Sequence, residues 1–225
     1  MKKGEIYEGR VQEVLFPDKA IVVTDEGETA QVKYGIPGQK LRFRVKKKRK
    51  EKIEGILLEI LEKSADETAC LCEWAGKCGG CLYQTLPYEK QLAIKEAQIK
   101  KMLDNGGTDY TFEGIVSSPV VSGYRNKVEL TFGDSYMGGP LALGMHKRGS
   151  FHDIVNVTEC KIVDEDFRRI LKAVLEFATD TGLPYYHRMR HTGFFRHLLV
   201  RKAVRTGEIL IDLVTTSEAQ LDEAG

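Results

Sequence analysis

The sequence predicts an α+β protein rich in strands. A small OB-like β-barrel opens the chain, and a central antiparallel-sheet domain with a helix and a cysteine-rich loop follows. Three observations support this. Five short segments rich in Val, Ile and Leu fill residues 1–63, with turn residues between them. Five further strand-like runs surround one amphipathic stretch in residues 111–216. Three cysteines, Cys72, Cys78 and Cys81, fall within ten residues, and a fourth, Cys160, lies 79 positions beyond Cys81.

The expected barrel strands are 2–14, 20–23, 29–32, 39–46 and 54–62. Phe16-Pro17-Asp18, Asp25-Glu26-Gly27 and Gly35-Ile36-Pro37-Gly38 mark the turns. Five strands of this size suit a barrel, which removes exposed sheet edges by closing on itself. Phe43 and Val45 alternate with Arg42, Arg44 and Lys46, so one face packs inward and the other meets solvent or phosphate. From Arg42 through Lys46, Lys47, Lys48 and Arg49 to Lys50, seven residues in nine are basic. Such a run is either a solvated hairpin tip or a phosphate contact. Net charge is only +1, so a local patch of this kind must supply any attraction for nucleic acid.

Residues 64–86 form the cysteine-rich connector. Residues 87–103 have helical spacing, with Tyr88, Leu92, Ile99, Met102 and Leu103 along one side and Pro87 expected at the first helical position. Asp104-Asn105-Gly106-Gly107 stops this helix. Later strands are expected at 126–132, 141–147, 153–157, 194–204 and 208–215. Between them a helix spans 164–181, with Asp164 as N-cap and Phe167, Ile170, Leu171, Val174, Leu175 and Ala178 as its buried stripe.

Apolar residues make up 42% and charged residues 30% of the chain, as in ordinary globular proteins. No apolar run approaches the length of a membrane span, and Met-Lys-Lys-Gly-Glu at the start lacks a signal region. The expected location is the cytoplasm, without membrane attachment. There thiols stay reduced, and clustered cysteines favour metal over disulfides. Thiolate is a soft ligand, and four sulfurs match a [4Fe–4S] cluster or an all-cysteine zinc site. Gly79 and Gly80 keep the Cys78–Cys81 loop free of side chains and tolerate positive φ. Unrelated buried cysteines or a disulfide are the bland reading. Cys70 is a bystander. Trp74 either shields the sulfurs or simply packs.

A second basic cluster comprises His187, Arg188, Arg190, His191, Arg196, His197, Arg201, Lys202 and Arg205. Arg196 and His197, together with Arg125, Lys127, His146 and Arg148, are candidate RNA contacts, since Arg grips phosphates and stacks on unpaired bases. Against this, Lys202 and Arg205 read as solubilising charges, Arg125 as a structural ion-pair member and the histidines as scaffold.

The Cys72-x5-Cys78-Gly-Gly-Cys81 spacing with distant Cys160 resembles the iron–sulfur RNA uracil-C5 methyltransferases that modify 23S rRNA. Further blocks share the resemblance: Tyr88-Glu-Lys-Gln91-Leu92 with Lys95, Tyr124-Arg125-Asn126-Lys127, Leu141-Ala-Leu-Gly144, Ile154-Val155 and Arg196-His197-Leu-Leu-Val-Arg201. It covers most of residues 1–216. It implies that residues 1–63 form a TRAM domain, that residues 64–86 and 111–220 form a central domain, and that Cys72, Cys78, Cys81 and Cys160 hold a [4Fe–4S] cluster. It implies that helix 87–104 packs on a C-terminal methyltransferase domain and that the partner is rRNA. In such enzymes a cysteine adds to C6 of uracil, and a base removes the C5 proton after methylation from S-adenosylmethionine. No residue here matches that nucleophile, that base or the S-adenosylmethionine site. The chain therefore reads as the RNA-recognition and iron–sulfur half of such an enzyme, inactive alone. A stand-alone metal-binding RNA adaptor is the competing reading. The spacing departs from the Cys-x3-Cys-x2-Cys of radical S-adenosylmethionine enzymes and from paired zinc-ribbon knuckles.

Overall fold

The computed structural model describes residues 1–50, 52–107 and 109–221. The chain divides into two compact units, Met1–Ala69 with Leu82–Ser117 and Cys70–Cys81 with Ser118–Gly225.

In the first unit, β1 (Ile6–Leu15), β2 (Lys19–Val23), β3 (Thr29–Lys33), β4 (Lys40–Arg49) and β5 (Lys52–Glu62) form a closed barrel in the order β1-β2-β3-β5-β4. β1 pairs antiparallel with both β2 and β4, and a short parallel contact of Gln31 and Val32 with Glu54 and Gly55 completes the closure. The period-2 reading of β4 holds. Leu41, Phe43 and Val45 are buried, while Arg44 and Lys46 are exposed. Gly55 is required where β5 crosses the core, because a Cβ there would lie 2.6 Å from the Phe43 ring.

Helix α1 (Tyr88–Asp104) belongs to the barrel unit. Pro87 is its N-cap, one position before the site expected for it. The apolar stripe is not what meets the barrel. Gln98 is the buried residue, donating to the Val14 carbonyl at 3.1 Å and the Tyr83 hydroxyl at 3.3 Å, with Ile94 beside the barrel core. Ile99, Met102 and Leu103 remain 42%, 50% and 38% exposed. A buried amide needs its bonds satisfied, and that fixes the helix rotation.

The second unit is a five-stranded antiparallel sheet. β6 (Lys127–Asp134), β7 (Leu141–His146), β8 (Ile154–Asn156), β9 (Phe195–Lys202) and β10 (Ile209–Thr215) stand in the order β10-β9-β6-β7-β8. Helix α2 (Glu165–Asp180) supplies Phe167, Leu171 and Ala178 to the core beside Leu130, Phe132, Leu143, Phe195 and Leu198. β10 is an edge strand whose Ile209, Leu210 and Ile211 are all substantially exposed. No helix among the described residues is long and apolar enough to cross a membrane.

Asp164 caps α2, accepting from the backbone N–H groups of Asp166 and Phe167. Lys202 is no solubilising charge: its ammonium bonds Asp164 at 2.6 Å and Asp166 at 2.5 Å. Burial alone would raise the Asp164 pKa, but Lys202 and the two N–H groups together hold it below the usual carboxylate range. The cap therefore stabilises fully above the ordinary carboxylate pKa of about 3.9 and is lost as pH falls through the lowered native value. Asp164→Ala is expected to cost about 1–2 kcal/mol at neutral pH in urea unfolding, a difference that vanishes in strong acid.

Candidate functional site

Cys70, Cys72, Cys78, Cys81 and Cys160 are free thiols and all lie in the second unit. Trp74, Cys78, Cys81 and Cys160 pack against its core. Trp74 is thus a packing residue as well as a neighbour of the sulfurs. Its carbonyl turns the loop by accepting from Lys77 at 3.0 Å and Cys78 at 2.9 Å. The Cys70 sulfur accepts from the Cys72 N–H at 3.5 Å.

The glycines act differently from expectation. Neither Gly79 nor Gly80 has positive φ. Gly79 allows close approach instead: its N–H donates to the His146 carbonyl at 2.9 Å, and a Cβ would meet that same oxygen at 2.9 Å. The Gly80 N–H donates to the Cys78 sulfur at 3.3 Å.

Arg148 was expected at an RNA interface, but it clamps this loop. Its backbone N–H bonds the Lys77 carbonyl at 2.7 Å, Nε bonds the Cys78 carbonyl at 3.1 Å, and the guanidinium reaches the Cys81 carbonyl. A guanidinium bonding two carbonyls of one loop is committed to the scaffold.

Burial pushes the thiol pKa values of Cys72 and Cys78 up and that of Cys81 up to about 11, with Cys160 the leading electrostatic neighbour of each. The four thiols therefore lie within one another's electrostatic reach. As bare groups Cys72, Cys78 and Cys81 resist ionisation, and a bound cation reverses that by deprotonating its thiol ligands. Among the described residues, no set of three or more His, Cys, Asp or Glu side chains is closed up in a metal-binding arrangement. The donor chemistry fits a soft metal, while the side chains are not drawn to a single point.

The basic run of the barrel is only partly available. Arg42 is tied to Glu8 at 2.8 Å and Glu59 at 2.7 Å on the strands either side. Lys48 donates to the Met1 carbonyl. Arg44, Lys46, Lys48 and Arg49 are exposed and Lys47 is half-buried.

In the second unit Arg125 and Lys127 are exposed, and Arg125 Nε bonds the Lys127 carbonyl at 3.0 Å, where an ion pair was the alternative reading. The Arg196 guanidinium lies over the Tyr186 ring at 4.6 Å. His197 Nδ1 stands 3.5 Å from the Thr131 hydroxyl. Burial lowers the pKa of His197 and of His146, which favours neutral imidazoles. Sequence reasoning missed the neighbouring Phe151 and Tyr186. The available signal was the interleaving of aromatic with basic residues in Tyr185–His191.

The chain's fold matches that of a solved enzyme. The Pyrococcus abyssi tRNA (uracil-54, C5)-methyltransferase, in complex with S-adenosyl-L-homocysteine, matches with a TM-score of 0.68 at 22% identity over 96% of this chain and 48% of that one. Sequence relatives are nearer. The chain is 44% identical over 226 residues to an uncharacterized RNA methyltransferase of Clostridium tetani, covering 99% of this chain and 49% of that protein. It is 45% identical over 223 residues to one from Clostridium acetobutylicum, with the same coverage. One from Nitratidesulfovibrio vulgaris is 34% identical over 214 residues, 93% of this chain and 45% of the relative. The chain spans about half the length of the curated relatives it matches. No protein-family model matches it.

Proposed function

We propose that the chain is the RNA-recognition and iron–sulfur portion of an S-adenosylmethionine-dependent uracil-C5 methyltransferase acting on 23S rRNA. The carrying observation is similarity along 99% of this chain to an RNA methyltransferase about twice as long. In this reading the first unit is a TRAM barrel that presents Arg44, Lys46, Lys47 and Arg49 to phosphate. Cys72, Cys78, Cys81 and Cys160 hold a [4Fe–4S] cluster. When bound, the cluster supplies a cross-link between the connector loop and the residue-160 turn. Arg148 holds the same loop from its backbone side. Binding of S-adenosylmethionine and methyl transfer belong to a further domain of the full-length protein.

The reading is tested with residues 1–225 and a labelled 23S rRNA fragment. Binding is expected to weaken with salt, with log K falling by about 0.7 to 0.9 per phosphate neutralised for each unit of log salt. No labelled methyl group is expected to pass from S-adenosylmethionine to the RNA. Absence of RNA binding at low salt, or methyl transfer by this chain alone, overturns the reading.

A further inference from the structure

A cleft of about 640 Å³ opens in the second unit, between the ends of β6 and β7 and the segment Tyr185–Arg190. That volume lies within the range of small-molecule sites. Three separate stretches line it, so no single motif announces it.

Its chemistry is specific. Phe151 lines the cleft with its ring 63% exposed. Its ring stacks on His146 with centroids 6.1 Å apart and planes 20° from parallel. The Arg188 guanidinium lies 5.6 Å from the same ring. Tyr186, whose ring lies under the Arg196 guanidinium, also lines the cleft. Two imidazole nitrogens in the wall, Nδ1 of His146 and Nδ1 of His187, are enclosed and have no hydrogen-bond partner among the described residues. Buried polar atoms without partners are rare and call for a reason. The acidic wall residues are already engaged: Asp153 faces Lys147 at 3.8 Å, and Asp134 accepts from the Gly138 N–H at 2.8 Å.

The geometry points to a pocket for one unpaired nucleobase of the RNA substrate, stacked on Phe151, edged by His146 and His187, and flanked on its phosphate side by Arg188 and Arg190. Flat π faces beside guanidinium groups suit an unstacked base, whose faces are apolar and whose edges carry donors and acceptors. A membrane or an acidic peptide would use the cations but not the stacked ring. The inference rests on the reading that this chain binds RNA and adds where one base lodges.

The test uses residues 1–225 with a short single-stranded RNA carrying one photoreactive 4-thiouridine, read by anisotropy and by crosslink mapping. Phe151→Ala is expected to weaken binding about tenfold, within the range for loss of one base–aromatic stack. The salt slope is expected to stay unchanged, because no phosphate contact is removed. Phe151→Trp is expected to retain wild-type affinity, which separates stacking from damage to the fold. Crosslinks are expected within residues 146–152 or 185–190. Wild-type binding with Phe151→Ala equally tight, or crosslinks confined to other segments, overturns the pocket while RNA binding stands. No binding by the wild-type chain overturns both.

Discussion

Chain purified without oxygen is expected to carry iron and acid-labile sulfide in equal amounts, about four of each, and Cys160→Ser is expected to carry neither. Cys160 is the informative thiol. It is the leading electrostatic neighbour of Cys72, Cys78 and Cys81, yet it reaches them from a turn 79 or more positions further along the chain. Structural metal in small zinc peptides contributes roughly 10–16 kcal/mol, whereas a whole domain is stable by only about 5–15 kcal/mol. Loss of the centre is therefore expected to remove most of the second unit's stability and to leave the barrel's transition unmoved. Metal analysis, the visible spectrum and thermal unfolding read this without any assay of catalysis. One zinc per chain and no sulfide overturns the iron–sulfur assignment but keeps the four-thiol site. A metal-free wild-type chain with an unaltered transition overturns both.

Gly144→Ala is expected to be among the most damaging single substitutions, costing more than about 4 kcal/mol. In β7 this glycine pairs with Thr131 on one side and Asn156 on the other. A Cβ there would sit 1.8 Å from the Val155 carbonyl oxygen and 2.9 Å from its carbon. These are backbone atoms of the adjoining strand, so no rotamer change relieves the clash. β8 would have to leave, taking with it the 2.8 Å bond from the Leu143 N–H to the Asn156 side chain. At roughly 4 °C per kcal/mol for a unit of this size, the second unit's midpoint should drop by at least about 16 °C. A midpoint within 2 °C of wild type would show that the strands can separate at little cost.

Legibility in the sequence followed the physics of each element. The alternation of Phe43 and Val45 with Arg44 and Lys46 was readable because a closed barrel gives each strand one inside and one outside. The stripe Phe167, Leu171 and Ala178 was readable because α2 has one covered face. The cap at Asp164 follows from local backbone geometry alone. What failed was long-range pairing between charges. Nothing near Arg42 reveals Glu8 or Glu59 as its partners, and nothing near Arg148 reveals the carbonyls of Cys78 and Cys81. In both cases a cation that reads as a nucleic-acid contact is drawn into the scaffold by residues the fold brings beside it. On α1 the apolar spacing was read correctly, but Gln98 gave no sign that a buried amide would decide which side meets the barrel. The cleft was hidden for the same reason, since its walls come from 131–139, 146–154 and 185–190.

The two units differ in how their outermost strands end. The barrel has every strand flanked by two others, whereas among the described residues β10 has β9 on one side only. β8, at the far margin, spans three residues, and shortness is one of the devices that blunt a margin. β10 spans seven, with Asp212 as its lone charge and Ile209, Leu210 and Ile211 open to solvent. An unpaired row of amides beside bare aliphatic side chains recruits further strands. On heating or concentration, intermolecular growth of this chain should nucleate at Ile209–Thr215, and a lysine in place of Leu210 should suppress the resulting turbidity.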